Sequence, residues 1–532
     1  MRNLVITGFM GTGKTTLGRR VAQQLGRPFV DMDAEIEAQA GKSVARIFSE
    51  DGEGAFRERE AALCKVLAAQ EGLVVATGGG ALVNPESRAA LSQSGTVVCL
   101  TCDADEIVER VRAAGGPERP LLAGDDPGAA VARLLDARSE AYGAIPWQVA
   151  TTGRSVEAVA QVVVALARAT VLRVHYPGGV YPIYVGEGML AHIGGALRAG
   201  GVPLGSRVAV VSNEVVAPLY GAQVEASLRA AGLEPFVCLI PDGEQHKTLE
   251  TVASLYDKFL AGNLDRSGTV LSLGGGVTGD IAGFAAASFM RGVCFVQVPT
   301  TLLSMVDASV GGKTGVDLPQ GKNLAGAFKQ PALVLIDPDV LATLASEELC
   351  AGMAEVLKHG VIGDPALFAD LEAGPRSVVL DSRQIARALR VKAAVVEEDP
   401  FEQGRRAVLN LGHTVGHALE RLSDFTLRHG EGVGIGMVAA ARIAGALGWA
   451  EEELAVRVEA ALRAWTLPVR CPAFEVDAIW AAMAHDKKRR GRALRWVLPW
   501  DVGQVAISED VPREVVVGVL QEMGARGDNG RR

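Results

Sequence analysis

The sequence predicts an α/β protein of three domains, with parallel sheets in residues 1–168 and 171–338 and a mainly helical region in residues 339–532. A length of 532 residues exceeds that of one ordinary domain. Up to residue 338, short apolar runs alternate with helical patterns, which is typical of parallel strands covered by helices. Beyond that point, long patterns rich in Ala, Leu and Glu replace the β-branched runs, so helices dominate there.

The composition narrows the class of protein. Hydrophobic residues make up 48% and charged residues 22%, as in ordinary globular proteins. The 53 Lys and Arg against 62 Asp and Glu leave a net charge of −9, which predicts no nucleic-acid partner. The seven cysteines are few and odd in number, as is typical of a protein from a reducing compartment. Because no apolar run reaches about 18 residues, we expect no membrane association and a cytoplasmic location.

The local patterns predict the elements one after another. In the first region, the apolar runs predict strands at residues 4–7, 73–77 and 96–100, and the helical patterns cover residues 14–25 and 156–169. In the second region, strands are predicted at residues 171–174, 207–211, 269–273, 293–298 and 333–336. The join near residues 169–171 has none of the Gly/Ser or Pro-rich composition of a long tether.

A glycine-rich loop follows the first predicted strand. Residues 8–15 match the pattern G-x-x-x-x-G-K-[ST] between a strand and a helix. In this context backbone N–H groups hold a β-phosphate, Lys14 acts on the transferred phosphoryl group and Thr15 binds Mg²⁺. The residues expected to bind ATP and Mg²⁺ are Gly11, Thr12, Gly13, Lys14, Thr15 and Thr16.

Carboxylates and arginines later in the first region indicate the acceptor of the phosphoryl group. Asp31 and Asp33 follow an apolar run, where one carboxylate can serve the metal and the other can deprotonate a hydroxyl. Arg57 and Arg138, with the glycine run 78–80, could clamp a substrate carboxylate. Arg119, in the segment R-P-L-L-A-G, is predicted to lie in a lid that closes on ATP.

Residues 2–168 resemble shikimate kinase in this loop, the D-x-D pair, the G-E-x-x-F-R segment, the triple glycine and R-P-L-L. The resemblance implies that Asp33, Arg57, Gly79 and Arg138 bind shikimate. It also implies that Thr15 binds magnesium and Arg119 binds ATP, with Lys14 and Asp33 as the catalytic pair.

A second glycine-rich turn occupies residues 274–280. It contains G-x-G-x-x-G between a predicted strand and a helical run. An ordinary dinucleotide fold also needs an acidic residue about 20 positions on, and none occurs between Asp280 and Asp307. A pyrophosphate at the helix N-terminus remains consistent with the turn, and the polar turn at residues 242–247 could supply the ribose contacts.

Three of the eight histidines are close in sequence: His413, His417 and His429. The first two are four residues apart, on one helix face, and Glu355 lies in an otherwise apolar helix. Two imidazoles and one carboxylate with a vacant position are typical of a catalytic Zn²⁺ or other divalent site. Basic and polar residues in neighbouring segments suit a phosphorylated, hydroxyl-rich substrate; they are Lys313, Lys322, Asn323, Lys358, Lys392, Arg406, Lys487 and Lys488.

Nearly all of residues 171–510 resemble 3-dehydroquinate synthase, through the D-G-E-Q-x-K and G-G-G-x-x-G-D turns, P-T-T-L-L, D-A-S-V-G-G-K, K-N, L-N-L-G-H-T and D-K-K. The resemblance implies that Glu355, His413 and His429 hold zinc. The residues it places against NAD are Asp242, Gly243, Glu244, Gln245, His246, Lys247, Gly276, Val277, Thr278, Gly279, Asp280, Thr300, Thr301, Lys313, Lys322, Val340, Leu341, Ala342 and Thr343. Those it places against substrate are Arg291, Lys313, Asn323, Arg406, Asn410 and Lys487, with Lys358, Lys392 and His417 in the proton network.

Together the two resemblances imply a bifunctional enzyme that phosphorylates shikimate and converts 3-deoxy-arabino-heptulosonate 7-phosphate to 3-dehydroquinate. The family arginine at Arg291 reaches a neighbouring subunit, which implies a homodimer built through the synthase half. One alternative is a metal-dependent NAD(P) polyol dehydrogenase fused to another small-molecule kinase, which would form net NADH. Another is a non-catalytic sensor of ATP and NAD, which the intact Lys14, Asp33 and zinc ligands disfavour.

Overall fold

The structure is a computed structural model that describes residues 2–113, 127–145, 147–375, 380–488 and 494–527. The chain forms two compact units. The first consists of residues 1–169, 188–206 and 223–235, and the second of residues 170–187, 207–222 and 236–532. Within the described ranges, no helix is long and apolar enough to cross a membrane.

Residues 2–168 carry five strands and eight helices among the described positions. In chain order these are β1 (Asn3–Gly8), α1 (Lys14–Leu25), β2 (Phe29–Asp31), α2 (Met32–Ala40), α3 (Val44–Glu50), α4 (Gly52–Ala68), β3 (Val74–Ala76), α5 (Pro85–Ser94), β4 (Gly95–Thr101), α6 (Ala104–Ala113), α7 (Pro127–Gly143), β5 (Trp147–Ala150) and α8 (Val156–Arg168).

The five strands form one parallel sheet in the order β2-β3-β1-β4-β5. The central strand β1 is fully buried because both faces of the sheet are covered, which explains its unbroken apolar run. Ile6 pairs with Ala76 on one side and with Val98 on the other. This register brings the carboxyl ends of β1, β2 and β3 to one edge, where the phosphate loop and Asp31 lie.

A seven-stranded sheet forms the framework of the following region. Its elements are β6 (Thr170–Tyr176), β7 (Gly179–Val185), α9 (Ile193–Ala199), β8 (Arg207–Asn213), α10 (Ala222–Ala230), β9 (Glu234–Ile240), α11 (Leu249–Ala261), β10 (Thr269–Gly274), α12 (Gly276–Ser288), β11 (Cys294–Pro299), β12 (Lys313–Leu318), β13 (Gly321–Phe328) and β14 (Leu333–Ile336). The strand order is β6-β7-β14-β11-β10-β8-β9, and β12 and β13 form a separate antiparallel hairpin.

Strands β7, β14, β11, β10 and β8 pair in parallel, whereas β6 pairs antiparallel with β7. The central strands β10, β11 and β14 are almost entirely buried. As in the first sheet, their carboxyl ends share an edge, and the turn that opens α12 leaves from it. The fold class predicted from the sequence is confirmed in both regions.

The remaining region is mainly helical, as predicted. It contains α13 (Ser346–Gly363), α14 (Pro365–Leu371), α15 (Ser382–Glu398), α16 (His413–Leu422), α17 (His429–Ala446), α18 (Glu452–Ala464), α19 (Val476–Lys488), β15 (Trp496–Asp501), β16 (Gln504–Ser508) and α20 (Arg513–Glu522). Helix α17 is buried along most of its length and packs against α13, α16 and α18. The β15–β16 hairpin was not predicted, because one short apolar run in a helix-rich stretch resembles a buried helix segment.

Candidate active sites

The Lys14 side chain folds back onto the backbone of the phosphate loop. Gly13, which precedes α1, has a φ of 90°, a left-handed conformation that favours glycine. The Lys14 ammonium donates to the carbonyls of Gly8 and Phe9, each at 2.9 Å. The Thr12 hydroxyl donates to Phe9 O at 2.7 Å. The lysine charge therefore sits over the loop at the N-terminus of α1, where a phosphate is favoured.

The two carboxylates of the D-x-D pair face different partners. The Thr15 hydroxyl donates to Asp31 Oδ2 at 2.6 Å, and Asp31 Oδ1 caps α2 by accepting from the Asp33 N–H. Asp33 lies against Gly78 instead, since a Cβ at that glycine would lie 2.8 Å from Asp33 Oδ1. Burial raises the pKa of Asp33, Lys14 opposes this shift, and Asp31 adds to it. Thr15 and Asp31 thus form one hydrogen-bonded pair, whereas Asp33 lies apart from it, against Gly78.

Both predicted arginines converge on the glycine run 78–80. Arg138 is 7% exposed and donates to Gly79 O at 3.0 Å. The Arg57 guanidinium lies so close to Gly80 that a Cβ there would overlap it. Around this glycine run the structure brings together Asp33, Arg57, Gly79 and Arg138, whereas Arg119 lies outside the described residues.

Glu60 and Tyr142 also belong to this group but were missed in the sequence. Glu60 is 3% exposed and its Oε2 accepts from Arg57 at 2.7 Å. Burial raises the pKa of Glu60, while Arg57 opposes the shift. The Tyr142 hydroxyl donates to Gly79 O at 2.5 Å. The spacing of Arg57 and Glu60, three residues apart in a helix, was a usable signal for Glu60.

In the second unit, Glu355 meets two histidines from separate helices. Glu355 lies within α13, and His413 and His429 are the first residues of α16 and α17. Glu355 Oε1 is 3.8 Å from His413 Nε2 and 3.5 Å from His429 Nε2. The three residues offer ligand atoms within 4.8 Å of one another. The exposed His417 is close by, its ring centroid 5.1 Å from that of His413.

The burial and the contacts of the Glu355 carboxylate are those expected of a metal ligand. Glu355 is fully buried, and its Oε1, the oxygen that faces both histidines, accepts no hydrogen bond among the described residues. Lys358 forms an ion pair with it from one turn further along α13. A buried carboxylate oxygen without a partner beside two imidazoles is costly unless a cation binds there. These donors suit zinc or a similar divalent ion.

A second buried network lies beside this group. The Lys392 ammonium donates to Asp307 Oδ1 at 2.6 Å. Burial lowers the pKa of Lys392 although Asp307 opposes it. Burial alone would raise the pKa of Asp307, but Lys392 and Lys358 hold it below the usual value. His359 is fully buried next to this pair, and burial followed by the Lys358 charge lowers its pKa to about 3. His359 is therefore a neutral imidazole, and no motif in the sequence had pointed to it.

Lys247 joins the two polar turns predicted to bind the dinucleotide. Its ammonium lies 2.6 Å from Asp280 Oδ2, in the first turns of α12, and 2.5 Å from Asn323 Oδ1 on β13. Burial raises the pKa of Asp280 to about 6, against the effect of Lys247. Asp242 Oδ1 accepts from Asn213 at 2.6 Å. One buried ammonium thus connects residues 242–247, α12 and the β12–β13 hairpin.

The remaining predicted dinucleotide contacts lie at the same sheet edge or close to it. Thr300 N–H donates to Gly274 O at 3.0 Å, which places Thr300 and Thr301 beside the glycine turn. Residues 340–343 form part of a 3₁₀ helix. The Tyr220 hydroxyl forms hydrogen bonds with Val340 O at 3.0 Å and with Thr343 Oγ1 at 2.6 Å. Tyr220 is therefore a neighbour of this segment, and no sequence motif had pointed to it.

The predicted substrate-binding residues are placed at several points of the second unit. Lys313 pairs with Glu402 at 2.7 Å, and Arg406 is 3% exposed and donates to Gly311 O and Pro400 O. Asn410 ends a 3₁₀ segment and is exposed.

Three further residues were predicted to bind cofactor or substrate; they are Lys322, Arg291 and Lys487. Lys322 pairs with Glu244 at 3.3 Å, and its ammonium lies 4.3 Å from the Phe425 ring centroid. Arg291 is exposed, with a φ of 69°. Lys487 lies in α19, but its side chain is outside the described positions.

Comparisons with known proteins identify two enzyme families in this chain. Residues 10–168 match the family model of shikimate kinase. Residues 237–351 match the N-terminal domain of 3-dehydroquinate synthase, and residues 352–489 match its C-terminal domain.

The 3-dehydroquinate synthase of Nostoc punctiforme is 45% identical over 364 residues, 66% of this chain and 99% of that protein. The enzyme of Synechocystis sp. is 47% identical over 361 residues, with the same coverage. A solved structure of ValA, a 2-epi-5-epi-valiolone synthase from Streptomyces hygroscopicus with NAD⁺ and Zn²⁺ bound, is 32% identical. It covers 64% of this chain and 96% of its own, with a TM-score of 0.59. The chain belongs to the 3-dehydroquinate synthase family over its C-terminal two thirds and carries a shikimate kinase domain at its N-terminal end.

Proposed function

We propose that this chain phosphorylates shikimate with ATP at one site and converts 3-deoxy-arabino-heptulosonate 7-phosphate to 3-dehydroquinate and phosphate at another. The observation that carries the synthase assignment is the buried Glu355 carboxylate, whose Oε1 faces both His413 and His429 and accepts no hydrogen bond among the described residues. For the kinase it is the convergence of Asp33, Arg57 and Arg138 on the glycine run beside the phosphate loop.

At the kinase site, Mg²⁺ would be held by Thr15 and would neutralise the charge of the ATP phosphates. Lys14 stabilises the charge that develops on the transferred phosphoryl group. Arg57 and Arg138, with Gly79, hold the shikimate carboxylate through bidentate hydrogen bonds. Asp33 accepts the proton of the attacking hydroxyl, and its raised pKa makes it a better base than an ordinary aspartate.

At the synthase site, the metal ion would be held by Glu355, His413 and His429, and NAD would lie against residues 242–247, 276–280, 300–301 and 340–343. When bound, NAD takes up and returns a hydride, and the divalent ion polarises a substrate hydroxyl. The chain's own basic residues hold the substrate and transfer protons.

Lys392 is suited to proton transfer because burial lowers its pKa, while its hydrogen bond to Asp307 holds the ammonium in place. Lys358 and His417 flank the metal group and complete the proton network. The carboxylate and phosphate of the substrate are bound by Lys313, Asn323, Arg406, Asn410 and Lys487.

A phosphate-release assay on the heptulosonate phosphate, with and without chelator, tests the synthase assignment. Chelation should abolish phosphate release, and His429→Ala should do the same. Shikimate phosphorylation should survive both once Mg²⁺ is restored, whereas Lys14→Met should remove only the kinase activity. Net accumulation of NADH without phosphate release would instead indicate a polyol dehydrogenase.

We also propose a homodimer formed through the synthase half. Arg291 supports this, because the resemblance to 3-dehydroquinate synthase implies that this arginine reaches the neighbouring subunit, and its side chain is exposed here. Sedimentation at micromolar concentration should give twice the chain mass of 55.6 kDa. A fully active monomer would contradict the proposal.

A cytoplasmic location is the remaining proposal. All seven cysteines are free thiols, as expected in a reducing compartment. Cell fractionation with immunodetection should find the protein with cytoplasmic markers, and its recovery from an oxidising compartment would contradict this.

A further inference from the structure

Both ring nitrogens of His429 face carboxylates. Its Nε2 lies 3.5 Å from Glu355 Oε1, and its Nδ1 lies 3.0 Å from Glu420 Oε1. Glu420 lies on α16 and is only 6% exposed. We propose that Glu420 is a positioning residue for the metal centre, which accepts the Nδ1–H of His429 and so keeps Nε2 as the metal-binding nitrogen. This inference rests on the proposed function of the synthase half.

The other histidine of the group shows the same arrangement with a different partner. His413 Nδ1 lies 3.1 Å from the carbonyl oxygen of Leu411. A carbonyl can only accept, so His413 Nδ1 is the donor and Nε2 is left facing Glu355. Metal-binding histidines are commonly oriented by such a second hydrogen bond, to a carbonyl or to a carboxylate. In this site only the carboxylate can be removed by a side-chain substitution.

The packing of α16 against α17 brings Glu420 to His429. Glu420 follows His413 by seven residues, so both lie on one face of α16. At Gly416 an added Cβ would lie 2.8 Å from the Gly432 backbone, so the two helices approach closely only because both positions are glycine. A Cβ at Gly432 would lie 3.3 Å from Glu420 Oε1. The close approach of the two helices brings the Glu420 carboxylate to the Nδ1 edge of the His429 ring.

A direct role of Glu420 as a metal ligand is the competing explanation. His417, Glu420 and His429 also offer ligand atoms within 4.8 Å of one another. A metal there would have to use the Nδ1 side of His429, because that nitrogen faces Glu420. The buried Oε1 of Glu355, which faces His413 and His429, would then stay without a partner. The Glu355 side is therefore the better metal position, and Glu420 contacts the opposite, Nδ1 side of the His429 ring.

The test measures metal binding by the full chain after its metal has been stripped. Zn²⁺ affinity is read by competition with a chromophoric chelator, and the Co²⁺ absorption spectrum reports the ligand set. Glu420→Ala should weaken Zn²⁺ binding about 10- to 100-fold and leave the Co²⁺ band shape unchanged. Glu420→Gln should lose less, because the amide oxygen still accepts the Nδ1–H.

Glu431→Gln is the matched control, since Glu431 lies in the first turn of α17 and accepts from the Arg428 N–H at 2.9 Å. Its Zn²⁺ affinity should stay within about twofold of the parent, a difference of about 0.4 kcal/mol. Unchanged affinity in Glu420→Ala, or an equal loss in the control, would overturn the inference. A changed Co²⁺ band shape would make Glu420 a ligand and also overturn it. Failure of the parent chain to bind Zn²⁺ would instead overturn the proposed metal centre itself.

Discussion

The Thr15 hydroxyl donates a 2.6 Å hydrogen bond to Asp31, whereas Asp33, only two residues later, lies against Gly78. The two carboxylates therefore serve different partners. Asp33→Asn should lower shikimate phosphorylation by about 10²- to 10⁴-fold, the usual contribution of a general base, with an unchanged Mg²⁺ requirement. Asp31→Asn should raise the Mg²⁺ concentration needed for half-maximal rate and spare much of the rate at saturation. Equal Mg²⁺ shifts in the two variants would contradict this division.

Gly80 leaves room for the Arg57 guanidinium, which an added Cβ would overlap. Gly80→Ala should displace Arg57 and raise the KM for shikimate about 10- to 100-fold, as expected for losing a hydrogen bond to a charged group. Initial-rate kinetics at saturating ATP measure this change. Gly54→Ala in α4 is the control, because a Cβ there meets no atom within 4 Å. The prediction fails if Gly80→Ala keeps the parent KM.

Lys247 is 5% exposed and neutralises Asp280, whose side chain is 23% exposed. Lys247→Met should leave this carboxylate without its ammonium partner and lower the free energy of unfolding by about 3 kcal/mol. Urea unfolding of the full chain without NAD measures the change. The double variant Lys247→Met with Asp280→Asn removes both charges and should recover part of the loss. A double variant less stable than the single variant would contradict the electrostatic explanation.

His192 should make stability depend on pH. Burial, followed by the charge of Arg154, lowers its pKa to about 4 from an ordinary value of 6.5. The unfolded chain therefore binds more protons between these values, and stability should fall as the pH drops from 6.5 towards 4. At pH 5 this single group should cost about 2 kcal/mol relative to neutral pH. Urea unfolding at several pH values should show a shallower dependence for His192→Gln, and an identical slope would refute the assignment.

The tertiary structure explains which predictions were accessible from sequence and which were not. The loop Gly8–Thr15 and the pair His413–His417 are local, because turn and helix geometry fix the relation of residues a few positions apart. The pairing of Lys392 with Asp307 joins positions 85 apart, and that of Lys247 with Asn323 joins positions 76 apart. Neither the periodicity nor the composition of the sequence specifies the long-range packing that creates these contacts.

The sequence alone determined the order of the regions, the parallel sheets and the residue types of both sites. Strand alternation and glycine-rich turns are properties of short segments, whose backbone preferences act locally. Only the tertiary structure decided that Asp31 serves Thr15 while Asp33 does not, and that Glu420 stands behind His429. Those roles depend on which helix face meets which neighbour at a spacing of a few ångströms, and helix packing sets that spacing only once the elements are assembled.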